Sequence, residues 1–322
     1  MTLYTLNRTL LAFVMTTFIG FGPSMVAAQE MEELNLMAPA APGGGWDGTA
    51  RAMQQVLQEA NLVSNVQVTN VPGAGGAVGL AQFVDGGPDD MMVAGLVMVG
   101  ALLTQKSEVT LEEVTPIARL IGEYSVIVVP ASSELQTIDD LLEAFKADPG
   151  AVALAGGSAG GIDHILAVQL AEAAGVAPSE VNYIAHAGGG EALAALFAND
   201  VVAGMSGYGE WAGQIEAGEL RALAISAPER LEGVDIPTLI EQGVDINIVN
   251  WRAVFGPGGL TDQQRQAQLD LIDQMVKTEE WQQLLEERSW IDVYLPGDEF
   301  TAFVAEDNER IEGVLREVGL VN

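Results

Sequence analysis

The sequence predicts an α/β fold in which strands and helices alternate, the strands forming a mostly parallel sheet with helices over both faces. Three observations predict it. Short apolar runs of strand length recur along the chain, each followed by a stretch with helical spacing of its apolar residues. Glycine-rich turns stand where strands end and helices begin. After an N-terminal leader, the remaining chain is about twice a typical domain of ~100–200 residues, enough for two lobes.

Taken in order, Leu34–Ala38 is an apolar run ending at Pro39 and the triplet Gly43-Gly44-Gly45, and Gly48–Ala60 follows with helical spacing at Ala52, Val56 and Ala60. Val66–Thr69 reads as a strand, Pro72–Gly76 as a turn, Ala77–Val84 as a short helix and Met91–Val97 as a strand. Ile117–Leu120 and Ser125–Val129 read as two strands, and Leu141–Phe145 belongs to a helix. Val152–Leu154 leads into Gly156–Gly161 and the helix Ile162–Ala174. Val181–Ile184, Ala192–Ala198, Val201–Met205 and Leu220–Ile225 continue the alternation. Thr261, with Gln264 three residues on, is a capping-box signature before the apolar positions Leu269, Ile272 and Met275. Helices at about Glu279–Glu287 and Asp298–Val318 complete a tail expected to hold no strands and to pack across one lobe.

The first 28 residues read as an export signal. Arg8 is their lone charge, Leu10–Phe21 is apolar, and Val26-Ala27-Ala28 supplies the small-residue cleavage pattern, so cleavage is expected near Ala28. There is no cysteine, which excludes disulfides, thiolate metal sites and a Cys-linked lipid anchor. Two histidines, His164 and His186, leave little for a metal site, and no cofactor is expected. The net charge of −32 becomes −33 when the leader takes its one arginine away. Such a chain repels nucleic acid and anionic lipid, and it suits a salty medium that screens self-repulsion.

Three glycine-rich corners follow strands and precede helices: Gly43–Asp47, Gly156–Gly161 and Gly188–Glu191. Each offers backbone N–H groups beside the positive end of a helix, a cradle for an anion. A well-aligned N–H to a carboxylate contributes ~1.5–3 kcal/mol. Asp47 is a first-turn acid with Arg51 as its partner one helical turn on, and its expected role is to fix the loop. Trp46 lines either the pocket or the core. Gly156–Gly160 matches the G-x-S-x-G nucleophile elbow around Ser158, but an acid and then a histidine must follow it, and only Asp163, His164 and His186 stand close behind. Ser158 is better suited to donating a hydrogen bond to a ligand carboxylate than to attacking an ester. In Pro72–Gly76, Val78 stands where a dinucleotide loop needs its third glycine, so no nucleotide is expected.

The ordered motifs PAAPGGGWDGTAR (Pro39–Arg51), VTNVPGAGGAVG (Val68–Gly79), TPIARLIGEY (Thr115–Tyr124), AGGSAGG (Ala155–Gly161), YIAHAGGGEALAAL (Tyr183–Leu196), GELRALAIS (Gly218–Ser226) and NWRAVFGPGGL (Asn250–Leu260) resemble the periplasmic receptors of tripartite tricarboxylate transporters. The resemblance implies a two-lobed periplasmic-binding-protein fold of type II character, with residues 29–122 and 251–322 in lobe I, 123–250 in lobe II and the ligand between them. It implies a non-catalytic, monomeric periplasmic receptor for a small di- or tricarboxylate, serving a large and a small integral-membrane subunit. A module presenting ligand to a membrane kinase has the same sequence requirements. The ligand-binding set it implies is Gly43, Gly44, Gly45, Trp46, Asp47 and Met98 from lobe I. From lobe II it takes Ser158, Ala159, Gly160, Gly161, His164, Gly188, Gly189, Gly190 and Tyr208. Met98-Val99-Gly100 departs from the small hydroxyl residues common there in relatives, and Asn199-Asp200 replaces a frequent glycine pair.

Overall fold

The computed structural model describes residues 32–317 and 319–321; the leader read over residues 1–28 lies outside them. The strands are β1 (Glu33–Ala38), β2 (Asn65–Asn70), β3 (Asp90–Gly95), β4 (Thr115–Pro130), β5 (Leu154–Gly156), β6 (Tyr183–Ala185), β7 (Ala203–Gly207), β8 (Leu220–Ile225), β9 (Val249–Gly256) and β10 (Ile291–Pro296). The helices are α1 (Gly45–Glu59), α2 (Ala77–Phe83), α3 (Leu96–Gln105), α4 (Ile138–Ala147), α5 (Ile162–Ala173), α6 (Gly189–Phe197), α7 (Tyr208–Glu216), α8 (Asp262–Val276), α9 (Glu279–Glu287) and α10 (Gly297–Glu317).

The strands run in the order β2-β1-β3-β9-β4-β7-β5-β6, with β8 and β10 also on β4. The outer ladders, β1 with β2 and β3 and β5 with β6 and β7, are parallel. The ladders of β4 and β9 are antiparallel. This follows from the two lobes: β4 carries the chain from one to the other, β9 brings it back, and two strands crossing side by side in opposite senses pair antiparallel. Through Tyr124, β4 pairs with β9; from Ser125 on, it pairs with β7.

Three local readings change. The two strands expected around Ile117 and Ser125 are one, because Gly122-Glu123 is an uninterrupted part of the crossing. The strand expected to Val97 stops at Gly95, and α3 begins; nearly all of its first seven residues are buried, so its sequence carries no amphipathic period to mark a helix. Helix α7 has no counterpart among the expected elements: two glycines in nine residues weaken its propensity, although Tyr208, Trp211, Ala212 and Ile215 put one apolar face on the second lobe's core. The tail holds a strand after all: β10, half-buried along its length, pairs antiparallel with β4. The capping box at Thr261 is present, its hydroxyl accepting from Gln264 N. The tail packs on the crossing strands through Trp251, Phe255 and Phe300, with edge-on ring contacts of 6.1 and 5.4 Å. Trp251 Nε1 donates to buried Asp307 at 2.8 Å.

A candidate ligand cleft between the lobes

A cavity of about 210 Å³ lies between the lobes. It is smaller than the ~300–1,000 Å³ of a drug-sized site and suits a small solute. Its walls are the loops at the carboxyl ends of parallel strands, where open α/β sheets bind ligands. Gly44, Gly45 and Trp46 come from the corner after β1, Pro72–Gly76 from the turn after β2, Gly157 and Ser158 from the corner after β5, and Ala187–Gly189 from the corner after β6. Pro39–Ala41, Val97, Ile162, Asp163, Ser206, Gly207, Glu210, Asn250 and Arg252 complete it.

Each glycine corner is fixed by the first acid of the helix it opens. Asp47 Oδ2 accepts from Gly43 N at 2.8 Å and from Arg51 Nε at 2.9 Å, while its Oδ1 accepts from Asn70 Nδ2 at 2.9 Å. Gly43 sits at φ +84°, a conformation that favours glycine. Burial alone would raise the Asp47 pKa, but these bonds from Arg51, Gly43 and Asn70 hold it below its ordinary value. Asp163 repeats the device, accepting from Gly157 N at 3.0 Å and Ser125 Oγ at 3.2 Å. Glu191 accepts from Ala187 N at 3.0 Å. These acids tie down the amides on the approach to each helix. The first-turn N–H groups behind them, which have no carbonyl four residues back, stay available to a ligand.

Of the predicted set, Gly44, Gly45, Trp46, Ser158, Gly188 and Gly189 come together on the cleft. The other nine do not line it. Gly43 lies on an adjoining cavity of about 200 Å³ that shares Gly44, Gly45, Glu210 and Arg252 with the cleft. Asp47 is buried beneath its loop and acts on it from behind. Met98 is fully buried, its Cε packed under Gly76. Ala159, Gly160 and Gly161 turn along the opposite lobe, where a Cβ on Gly160 would meet Thr104 at 2.6 Å. His164 stands behind that loop: Nδ1 accepts from Gly160 N at 3.1 Å, and the ring stacks on Tyr183 at 4.3 Å. Burial pushes its pKa down to about 4, so it serves as a neutral prop. Gly190 is one residue beyond the lining, and Tyr208 is buried in the second lobe's core. Asp163 and His164, two of the three candidate partners of Ser158, each accept from a loop amide, Gly157 N and Gly160 N.

The floor of the cleft escaped the motif reading. Arg252 on β9 is buried, with Nη2 2.5 Å from Glu123 Oε2 and 3.5 Å from Glu210 Oε1, and Nη1 3.4 Å from Thr49 Oγ1. Glu123 lies on β4 and Glu210 on α7, so this ion cluster sits where the strands cross between lobes. Burial pushes both Glu123 and Asp163 up to about 7; Arg252 opposes this at Glu123, as the Gly157 amide does at Asp163. A signal was available: Arg252 is the lone charge of β9 and Glu123 stands in an otherwise apolar stretch of β4, and such charges are almost never buried unless paired.

Two α/β lobes, joined by crossing strands and facing each other across a small glycine-lined cleft, define a solute-binding protein as a class. The model of the tripartite tricarboxylate transporter family receptor matches residues 49–320, and the chain belongs to that family. Protein BugT of Bordetella pertussis is 27% identical over 327 residues, covering 98% of this chain and 99% of that one. A TctC solute-binding protein from Polaromonas is 26% identical with a TM-score of 0.64, over 88% of this chain and 98% of that one. The fold is also that of MatC from Rhodopseudomonas palustris with bound malate, at TM-score 0.78 and 19% identity over 88% of this chain and 98% of MatC. An R. palustris protein with adipate gives TM-score 0.78 and 18% identity over 89% and 97% of the two chains.

Proposed function

We propose that this chain is a periplasmic receptor that takes a small di- or tricarboxylate between its lobes and hands it to the large and small integral-membrane subunits of a tripartite transporter. It acts as a monomer and performs no chemistry on its ligand. Its leader is cleaved near Ala28, and its lobes are residues 29–122 with 251–322, and 123–250. The observation that carries the reading is the convergence of three glycine corners, one from the first lobe and two from the second, on a single small cleft. Gly44, Gly45 and Trp46 present amides from one side; Ser158, Gly188 and Gly189 present a hydroxyl and amides from the other. The strongly negative protein is no obstacle, since distant charge is screened over ~8–10 Å at physiological salt while fixed amides act at contact. A ligand that touches both walls favours the closed form, which is how binding closes the lobes. The malate- and adipate-bound proteins of the same fold support a carboxylate as the solute.

The test is a thermal-shift screen of di- and tricarboxylates. A cognate acid at 100 times its Kd stabilises by about 2.7 kcal/mol, which raises Tm measurably. If no di- or tricarboxylate shifts Tm while neutral solutes do, the reading fails.

A further inference from the structure

The outer edge of the second lobe carries an apolar face. Strand β6 is the last strand of its sheet. Its register pairs Leu154 with Tyr183 and Ala155 with Ile184, and paired residues share a face. Tyr183 lies on the α5 side, where its ring stacks on His164. Ala155 packs with Ala192 and Leu196 of α6, so Ile184, 39% exposed, stands at the sheet edge on the α6 side. The outward stripe of α6 is Gly190, Ala194, Phe197 and Ala198, all exposed, and Phe197 at 47% is the most exposed large apolar residue described. An outward helix stripe is ordinarily polar, and exposed apolar residues are ordinarily scattered singly. Here they share one side of one sheet. Glu191, the stripe's single acid, is turned back on the Ala187 amide at 3.0 Å. The surroundings are acidic: residues 147–220 contain nine Asp and Glu and no lysine or arginine. Of these acids, Glu180 just before β6 and Asp200 just after α6 are both exposed.

We infer that this face, β6 with the outward stripe of α6, docks on the integral-membrane subunits of the transporter, against an apolar patch rimmed by lysine or arginine. The inference rests on the receptor reading above and assigns the surface through which ligand is handed over. A second copy of this chain brings acid against acid, and anionic lipid does the same, so both are repelled while a basic rim is attracted. An apolar centre inside a charged rim is also the usual anatomy of a protein–protein interface. The face is coupled to the cleft: Ala187, Gly188 and Gly189, which lead from β6 into α6, line the ligand cavity. A partner seated here touches the corner that closes on the ligand, so it can tell a loaded receptor from an empty one.

The experiment titrates the purified chain, saturated with the acid that the thermal-shift screen selects, against the large and small membrane subunits in lipid nanodiscs, read by biolayer interferometry. The wild-type chain is expected to bind discs that hold the subunits and not empty discs of the same lipid. Ile184→Thr combined with Phe197→Ser is expected to weaken docking at least about tenfold. Asp200→Lys is expected to weaken it about threefold at low salt, with the difference vanishing at high salt. Both variants should keep wild-type affinity for the acid by calorimetry. A double variant that docks like wild type overturns the inference and leaves the receptor reading standing. Equal binding to empty discs does the same, as does a wild-type dimer in sedimentation that the double variant abolishes. If the double variant does not fold, Asp200→Lys decides, and no loss at low salt overturns the inference. A wild-type chain that binds its acid but never the loaded discs overturns the transporter reading and this inference together.

Discussion

Asp47→Ala tests whether a buried carboxylate, rather than the glycines themselves, holds the first corner in shape. The substitution strips the acceptor from the Gly43 amide at 2.8 Å and from the Asn70 amide at 2.9 Å, in a side chain only 4% exposed. Each such bond to a charged group is worth ~1.5–3 kcal/mol. The Arg51 contact contributes ~0.5 kcal/mol at most, since that guanidinium is half exposed and returns to water. Release of a buried charge offsets part of the loss, leaving about 2–4 kcal/mol of destabilisation. At roughly 2–4 °C per kcal/mol for a chain somewhat smaller than this one, Tm falls on the order of 5–15 °C. Urea denaturation followed by tryptophan fluorescence measures the first quantity, and calorimetric titration the accompanying loss of ligand affinity. Arg51→Ala is the control, with a change near ~0.5 kcal/mol. There is also a pH signature. Asp47 titrates below its ordinary value in the folded state, so its stabilisation is complete above about pH 4 and disappears as pH falls through the folded pKa. The alanine variant lacks that acid limb. An Asp47→Ala protein within ~0.5 kcal/mol of wild type, binding ligand equally well, would refute the reasoning.

Gly100→Ala places a Cβ against the Gly160 carbonyl across the junction of the two lobes; ligand affinity is expected to fall at least about tenfold by calorimetry, with closure impaired and melting of the free protein little changed. Arg252→Met leaves Glu123 buried and uncompensated, and urea denaturation at pH 8 should show about 3–5 kcal/mol of lost stability. Asp163 is pushed up to about 7, so between about pH 4 and 7 the folded state holds a proton that the unfolded state has released, and stability falls as pH rises through that window. His164, pushed down to about 4, acts in the opposite sense: the unfolded state takes its proton below about pH 6.5, and stability falls as pH falls toward 4. Comparing denaturation at pH 5 and pH 8, Asp163→Asn should flatten the decline toward pH 8 and His164→Gln should steepen it.

What the sequence by itself determined is the local part of this protein: the alternation of strands and helices, the glycine corners, the Asp47–Arg51 pair one turn apart and the cap at Thr261. These are legible because a strand's alternation, a helix's turn and a capping box each repeat or close within a few residues. Tertiary structure decided the rest. Arg252 meets Glu123 across 129 positions of chain, and Glu210 across 42. Neither spacing carries a local signal, because sheet partners are chosen by the path of the whole chain. The same non-locality joined two apparent strands into β4 and recruited β10 from a tail that reads as helical. It also turned Met98, His164 and Tyr208 away from the cleft that their neighbours line, because a residue's place along the chain does not say which side of its loop or helix the other lobe will face.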